Sequence, residues 1–499
     1  MDGKPPLPEG LVAFVSSECP TCNMLIPVLG ALTDAPANVT VVSQDDPSFP
    51  PGVEHIDDDD LSLSYAASVE TVPTLLDIRN GHIRRVAVGW LRQQWEALTG
   101  VTGLGPGLPD HRPGCGSRST EPGSFERLID RFGYPGLAAR QTELADLDDE
   151  AEACFAAGWT DGLPVVPPTP SRVYRMLQGT SRRADEILGD VPPALTPVTV
   201  EKVAINAVMA GCDPAYMPVV IAAVEAALTE EFHLHGVVTT THPAGPVVVV
   251  NGPIARKIGM NSGINALGQG NRANASIGRA LQLVVRNVGG GRPGEADRAA
   301  LGNPGKFTFC FAEAEEQSPW VPLSVERGLP PGVDAVTLFS GEGPRLVRDE
   351  TSRTPESLAR SFAACLRTNS HPKQGYVAPT GFGRLSSNET NFCGWPFDAL
   401  MVVSPDHART FRQAGWSKET LRSFIMRELT IPGAEMIRGA GGIEEGLPVA
   451  FADELIPKFR PEGLNFVHAG GPAGLFSAII GGRLCAPAGT DVVTREVRP

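Results

Sequence analysis

The 499-residue chain is poor in aromatic side chains, 6% of its residues, and has no excess of positive charge. Its 42 Lys and Arg stand against 57 Asp and Glu, for a net charge of −15. Nucleic acids and anionic membranes both need a basic footprint, so generic binding to either is disfavoured from the outset. No run of about 18 apolar residues occurs, which argues against a membrane-spanning helix. Met1 to Gly10 is polar and Pro-rich, without the basic patch and apolar stretch of a secretory signal. The nine cysteines are odd in number and scattered through a chain too long to need disulfide staples. A reducing, cytoplasmic location is expected.

What the chain has in excess is turn chemistry. Its 55 Gly and 46 Pro make up about a fifth of the residues, against roughly 12% in ordinary proteins. A 42% hydrophobic content still suffices for ordinary cores and argues against global disorder. The length suggests about three domains, and no internal repeat is evident. The acidity is uneven. Residues 1–100 carry 5 basic and 14 acidic side chains, or −9, while the other 399 carry 37 and 43, or −6. Such an asymmetry predicts a separate acidic N-terminal unit, with Asp57 to Asp60 contributing.

Within that unit, Leu11 to Val15 reads as a buried strand, followed by Cys19-Pro-Thr-Cys22 and an apolar helix, Met24 to Leu32. Val39 to Ser43 reads as a second strand. Thr71 to Ile78, Asn80-Gly81 and His82 to Val88 read as strand, hairpin turn and strand, and Arg92 to Leu98 as a closing helix. A thiol at a helix start is biased toward thiolate, and a second thiol three residues on can resolve a mixed disulfide. Cys19 is thus the expected nucleophile and Cys22 the resolving thiol. The same string would serve as half a zinc site, but no second C-x-x-C exists to complete one.

A strand, C-P-T-C opening a helix, and Thr71-Val-Pro73-Thr before a hairpin are similar to the thioredoxin and glutaredoxin-like superfamily. The resemblance covers residues 8–99. It implies that Pro73 faces the dithiol and that Val72 helps hold an incoming substrate backbone. Ser17-Glu18 depart from the residues usual before the first cysteine.

Residues 100–124 are rich in Gly, Pro and Ser and read as a flexible linker, carrying Cys115 on a mobile segment. Cys115 is either an incidental surface thiol or a relay between the dithiol and a second centre. Residues 125–499 read as an α/β body, with room for two subdomains. Its expected elements include helices over Phe125 to Phe155, Thr199 to Ala210, Met217 to Leu228 and Ala273 to Val285, and an alternating strand at Phe307 to Phe311. Cys212 lies between two helices, where the second helix start would activate an accessible thiol. His233 and His235 would share one face of a strand and offer a metal two ligands, with no acidic or thiol group to complete a set. His242 and His468 stand where strands end and are acid/base candidates. Asn271, Arg272, Asn274 and Arg279 follow a Gly-rich loop into a helix, an anion cradle by composition that matches no nucleotide motif. Glu313 and Glu316 are either solvated charges or a base.

The body resembles a largely uncharacterised group of bacterial proteins through Trp159-Thr-Asp-Gly-Leu-Pro, Ala210-Gly-Cys212, Thr241-His-Pro, Asn271-Arg-Ala-Asn-Ala and His468-Ala-Gly-Gly-Pro. The group's association with redox-active cysteine or selenocysteine proteins implies thiol chemistry without naming a reaction. The expectation is therefore an α/β oxidoreductase. Its C-x-x-C dithiol would pass reducing equivalents to a small polar or anionic substrate in the body, drawing on a thioredoxin reductase or a low-molecular-weight thiol. A lyase or transferase with Cys212 as nucleophile, cleaving a carbon–sulfur or carbon–metalloid bond, is a second expectation. A redox-responsive binding or metal-handling protein is a third. No cofactor beyond the dithiol is called for, and a metal has no particular support.

Overall fold

The computed structural model describes residues 5–145, 149–369, 397–442, 444, 446–482 and 491–499. The chain forms two compact units, Met1–Leu137 with Thr169–Ser171, and Ala138–Pro168 with Arg172–Pro499.

The first unit is built on a central apolar strand. In β1 (Gly10–Val15) every residue from Val12 to Val15 is buried, the continuous pattern of a strand covered on both faces. It lies parallel to β2 (Thr40–Ser43), which is parallel in turn to β3 (His55–Asp57). On its other side β5 (Thr74–Arg79) is antiparallel and is followed by β6 (His82–Val88), giving the order β3–β2–β1–β5–β6. Asn80 and Gly81, both with positive φ, make the tight turn between β5 and β6. Helices α1 (Pro20–Met24) and α2 (Ile26–Thr33) follow β1, α3 (Ser62–Ala66) precedes the short β4 (Thr71–Val72), and α4 (Arg92–Thr99) follows β7 (Trp90–Leu91). Leu25, Leu29, Trp90 and Trp95 are fully buried in the core with β1.

The stretch expected as a flexible tether belongs to this unit. Its residues form β8 (His111–Arg112), paired with β7, and β9 (Cys115–Gly116), paired with β4. The Arg92 backbone N–H donates to Asp110 O, and its guanidinium donates to Leu108 O at 2.6 Å. The buried Gln44 amide donates to Ser64 Oγ and Ser117 Oγ, each at 2.7 Å, and Ser119 Oγ donates to Val69 O. Glycine and proline here serve close approach rather than flexibility. A Cβ on Gly114 would stand 2.5 Å from Val72 O and from Thr71 Cγ2. The unit also claims α5 (Ser124–Phe132), whose Phe125 and Phe132 rings contact Tyr65. The helix expected over Phe125 to Phe155 is in fact α5 and α6 (Glu150–Ala156), and residues 146–148 lie outside the described set.

The second unit mixes helices with a larger sheet. Helix α7 (Pro170–Leu177) leads to the hairpin β10 (Ile187–Val191) and β11 (Thr196–Thr199), then α8 (Val200–Ala210), α9 (Met217–Ala227) and α10 (Leu234–Thr239). Strand β12 (Gly245–Asn251), α11 (Pro253–Lys257), α12 (Arg272–Asn287), β13 (Cys310–Ala312), α13 (Leu323–Glu326), β14 (Ala335–Arg348) and α14 (Pro355–Arg367) follow. After β15 (Phe397–Val403) come α15 (Pro405–Gln413), α16 (Lys418–Glu428), the small pair β16 (Thr430–Pro432) and β17 (Leu455–Pro457), β18 (Phe459–His468), β19 (Phe476–Gly482) and β20 (Val493–Glu496).

The sheet order is β13–β12–β14–β19–β15–β18, with β20 beside the start of β14. Its two ends meet, because the Ala314 backbone N–H just after β13 donates to His468 O at the end of β18, at 2.7 Å. The curled sheet encloses Val247, Val249, Phe311, Phe339, Leu400, Val467 and Ile480. Outside it, α14, α15 and α16 bury Phe362, Phe411 and Ile425. His233 and His235 do not lie on a strand. His233 takes a left-handed conformation before α10, and the buried Leu234, Val237 and Val238 recur at helical spacing. The alternating strand expected from Phe307 is paired only over Cys310–Ala312. Among the described residues no helix is long and apolar enough to cross a membrane.

Candidate active site

Strand β1 ends at Val15, and the turn that follows is held by Asp45. Ser16 Oγ donates to its carboxylate at 2.6 Å and the Ser17 N–H at 2.9 Å. This turn delivers Cys19 to the N-cap of α1 and Cys22 into its first turn. Both are free thiols and both are buried, Cys19 at 1% exposure and Cys22 at 0%. As a thiol, Cys19 donates to Val72 O at 3.4 Å, next to the cis Val72–Pro73 bond. As a thiolate it accepts hydrogen bonds from the Cys22 and Cys115 thiols.

These contacts polarise the three sulfurs. The Cys22 hydrogen bond, with a smaller one from Cys115, outweighs burial and holds Cys19 down at about 5. Burial pushes Cys22 far up, and its bond to Cys19 pushes the same way. Cys115 is also raised, mainly because its proton is engaged by Cys19. At neutral pH the charge sits on Cys19 and the protons on its neighbours. Thiolate is the nucleophilic form, so Cys19 is equipped for thiol–disulfide exchange. Cys115 arrives by backbone pairing, as the residue opposite Val72 in the β4–β9 ladder, and Thr21 Oγ1 fixes the same segment by donating to Pro113 O at 2.7 Å. Asp45, Gln44 and Ser117 position this cluster and carried no motif of their own, and Thr21 was noticed only as part of the C-P-T-C string; the Cys19–Cys115 encounter depends on a fold-back that spacing does not encode.

In the second unit the candidate residues are brought together in part. Arg272, at the start of α12, donates to Gly211 O and Cys212 O at 2.9 and 3.0 Å. Asn271 caps the helix by accepting from the Asn274 N–H, and it donates to Gly259 O. Asn274 fastens the loop before it, accepting from Asn261 N and donating to Asn261 O and Ala266 O. Arg279 is engaged bidentately by Asp161, both bonds at 2.8 Å, and also donates to Pro164 O. All four expected anion ligands are therefore engaged in holding neighbouring segments.

What the loop offers instead is an open cavity of about 490 Å³ lined by Asn261, Asn265, Gln269 and Asn271. The His468 loop borders it, since Gly470 N donates to Ser262 O and a Cβ on Gly471 would meet Ile264 at 2.6 Å.

Cys212 differs from its expected setting. It follows Gly211 at the C-terminal end of α8, its N–H bonded to Ala207 O, so that helix's dipole opposes a thiolate. It is 5% exposed, and burial pushes its thiol up to about 12 despite a bond with Ser276. Cys310 lies close enough to interact with it and is also raised by burial. His242 pairs with Glu342 at 2.7 Å, and this contact holds the Glu342 carboxyl low. His468 is buried, accepts no proton readily because burial lowers it, and engages Val403 O through Nδ1. Its backbone faces Glu313, which burial raises and which accepts from Asn251 Nδ2 and Leu323 N, with Lys418 Nζ at 3.8 Å. Glu316 is exposed and paired with Arg256. Glu313 thus joins the strand ends, a role its neighbours in sequence did not reveal.

Among the described residues no group of three or more His, Cys, Asp or Glu side chains is placed to hold a metal ion. Compared with known proteins, the chain matches no family model, no curated protein and no solved structure.

Proposed function

We propose that the chain is a thiol–disulfide oxidoreductase whose working pair is Cys19 and Cys22, carried on an N-terminal unit of thioredoxin-like kind. The observation that carries this reading is the placement of Cys19 at the start of α1, 3.4 Å from Val72 O beside Pro73, with Cys22 in the first turn. The two thiols are polarised in opposite senses, one held at about 5 and the other raised. The β3–β2–β1–β5–β6 order and the position of Pro73 beside the dithiol support the kinship.

In the reaction, Cys19 thiolate attacks a disulfide R–S–S–R′, forming Cys19–S–S–R and releasing R′S⁻. Cys22 then loses its proton and attacks Cys19 Sγ, closing the Cys19–Cys22 disulfide and releasing R–S⁻, which leaves as the thiol. Two electrons pass from the dithiol to the substrate, and a low-molecular-weight thiol or a thioredoxin reductase restores the pair. Fusion to the second unit raises the effective concentration of the dithiol for any thiol chemistry there. In that unit the amide-lined cavity beside Asn271 is the place for a small polar substrate.

Exchange with reduced and oxidised glutathione, read by acid quenching and thiol alkylation, tests the reading. The unaltered chain is expected to interconvert between dithiol and Cys19–Cys22 disulfide, and Cys19→Ser to lose the exchange. Equal exchange by Cys19→Ser would falsify the assignment.

A further inference from the structure

We propose that Cys115 is the internal exchange partner of Cys19, presented by a segment of the chain that occupies the strand-pairing edge beside the dithiol. The inference rests on Cys19 being the nucleophile, as proposed above, and adds the identity of its first partner.

Three independent features place Cys115 there. Strand β9 pairs antiparallel with β4, with Cys115 opposite Val72, the residue whose carbonyl accepts from Cys19. Gly114 permits that approach, since any side chain at this position would collide with Val72 O. Ser117 N donates to Glu70 O at 2.9 Å and Thr21 Oγ1 to Pro113 O at 2.7 Å, so both ends of the segment are fastened. Residues 113–117 therefore fill the edge that an extended polypeptide substrate would need. Of the three clustered sulfurs only Cys115 belongs to a partly exposed residue.

The exchange needs no outside oxidant. In the Cys19–Cys22 disulfide form, Cys115 gives up its proton and attacks Cys19 Sγ. The Cys19–Cys115 bond forms, the Cys19–Cys22 bond breaks, and Cys22 leaves as a thiolate that takes up a proton. One disulfide replaces another, and no electrons are gained or lost. The charge that holds Cys115 protonated is the Cys19 thiolate itself, and oxidation of Cys19 removes it. A small thiol RSH can then attack Cys115 Sγ at the partly exposed end, expelling Cys19 as its stable thiolate. A second RSH frees Cys115 as a thiol and leaves as RSSR. The buried dithiol is in this way reduced through Cys115, and the partner class is a low-molecular-weight thiol rather than an extended polypeptide.

The test uses the full chain carrying Cys22→Ser, treated with oxidised glutathione, quenched in acid, alkylated and mapped by peptide mass spectrometry. An intrachain Cys19–Cys115 disulfide without bound glutathione is expected. Cys19 joined to glutathione or to any other cysteine, with Cys115 free, overturns the inference and leaves the nucleophile assignment standing. Cys19 recovered unmodified overturns both. A second measurement covers a Cys22→Ser chain that fails to fold. With Cys115→Ser, reduction of the Cys19–Cys22 disulfide by glutathione is expected to slow at least about tenfold, as an intramolecular step is lost. An unchanged rate overturns the inference.

Discussion

Cys19 and Cys212 each adjoin a helix end and are almost fully removed from solvent, yet one is held at about 5 and the other is pushed up to about 12. Burial raises both, but it is the largest influence only on Cys212; on Cys19 the Cys22 bond outweighs it. The difference lies in what each thiolate would meet. Cys19 precedes α1 and accepts from two thiols brought in by α1 and β9. Cys212 follows α8, where the helix end carries negative partial charge, and the Ser276 bond and the Arg272 charge do not overcome the burial. Donors set against depth decide which cysteine can react: Cys19 has thiol and backbone donors enough to outweigh its burial, and Cys212 does not.

The comparison also divides the arginines and asparagines of the second unit from the ligands they resemble. Arg279 and Asp161 are 14% and 12% exposed and meet bidentately, so Arg279→Ala strands a largely buried carboxylate. A loss of about 3 kcal/mol of stability is expected in urea denaturation, with the alkylation rate of Cys19 unchanged. A loss under about 0.5 kcal/mol, the range of ordinary surface changes, would return Arg279 to the pool of substrate ligands. Next in size is the contrast between the thiols themselves. At pH 7 a thiol held near 5 is almost wholly ionised, whereas an ordinary one is about 3% ionised. Cys19→Ser should therefore remove the iodoacetamide labelling of the native chain that persists at about pH 6, and Cys212→Ser should leave it unchanged. Rapid labelling at Cys212 would erase the distinction drawn above.

How much of this was legible in the sequence follows from the range of the forces involved. Strand and helix periods are local, so β1, α8, α9 and α12 were readable to within a few residues, as was the Asn80-Gly81 turn. The C-x-x-C announced itself because its chemistry also lies within one helical turn. Two things were not readable. Residues 109–117 have a loop's composition, yet their backbone groups are taken up by β4 and β7; pairing partners about 20 to 45 positions away leave no periodic trace. The Val237-Val238 run near His235 has strand-like side chains, but burial at helical spacing prevailed. In the same way Arg272 and Arg279 looked free because Cys212 and Asp161, their partners, lie 60 and 118 residues away.

The smaller effects concern which donor supports the Cys19 thiolate. In the unaltered chain, alkylation of Cys19 should rise with pH through a midpoint near 5. The folded value lies below the unfolded one of about 9, so the thiolate's contribution to the stability of the reduced chain is full above about 9. It declines as pH falls and is gone below about 5. The Cys22 hydrogen bond is the largest cause of the shift and the Cys115 bond a lesser one. Cys22→Ala should therefore move the alkylation midpoint up by more than Cys115→Ala does. Each unit of that movement weakens the reduced form by about 1.4 kcal/mol. For Cys115→Ala, which keeps the Cys19–Cys22 couple, the midpoint potential should accordingly fall by about 30 mV per unit. If Cys115→Ala left both the alkylation midpoint and the potential where they were, β9 would merely cover the dithiol, and the contrast with Cys212 would rest on Cys22 and the helix start alone.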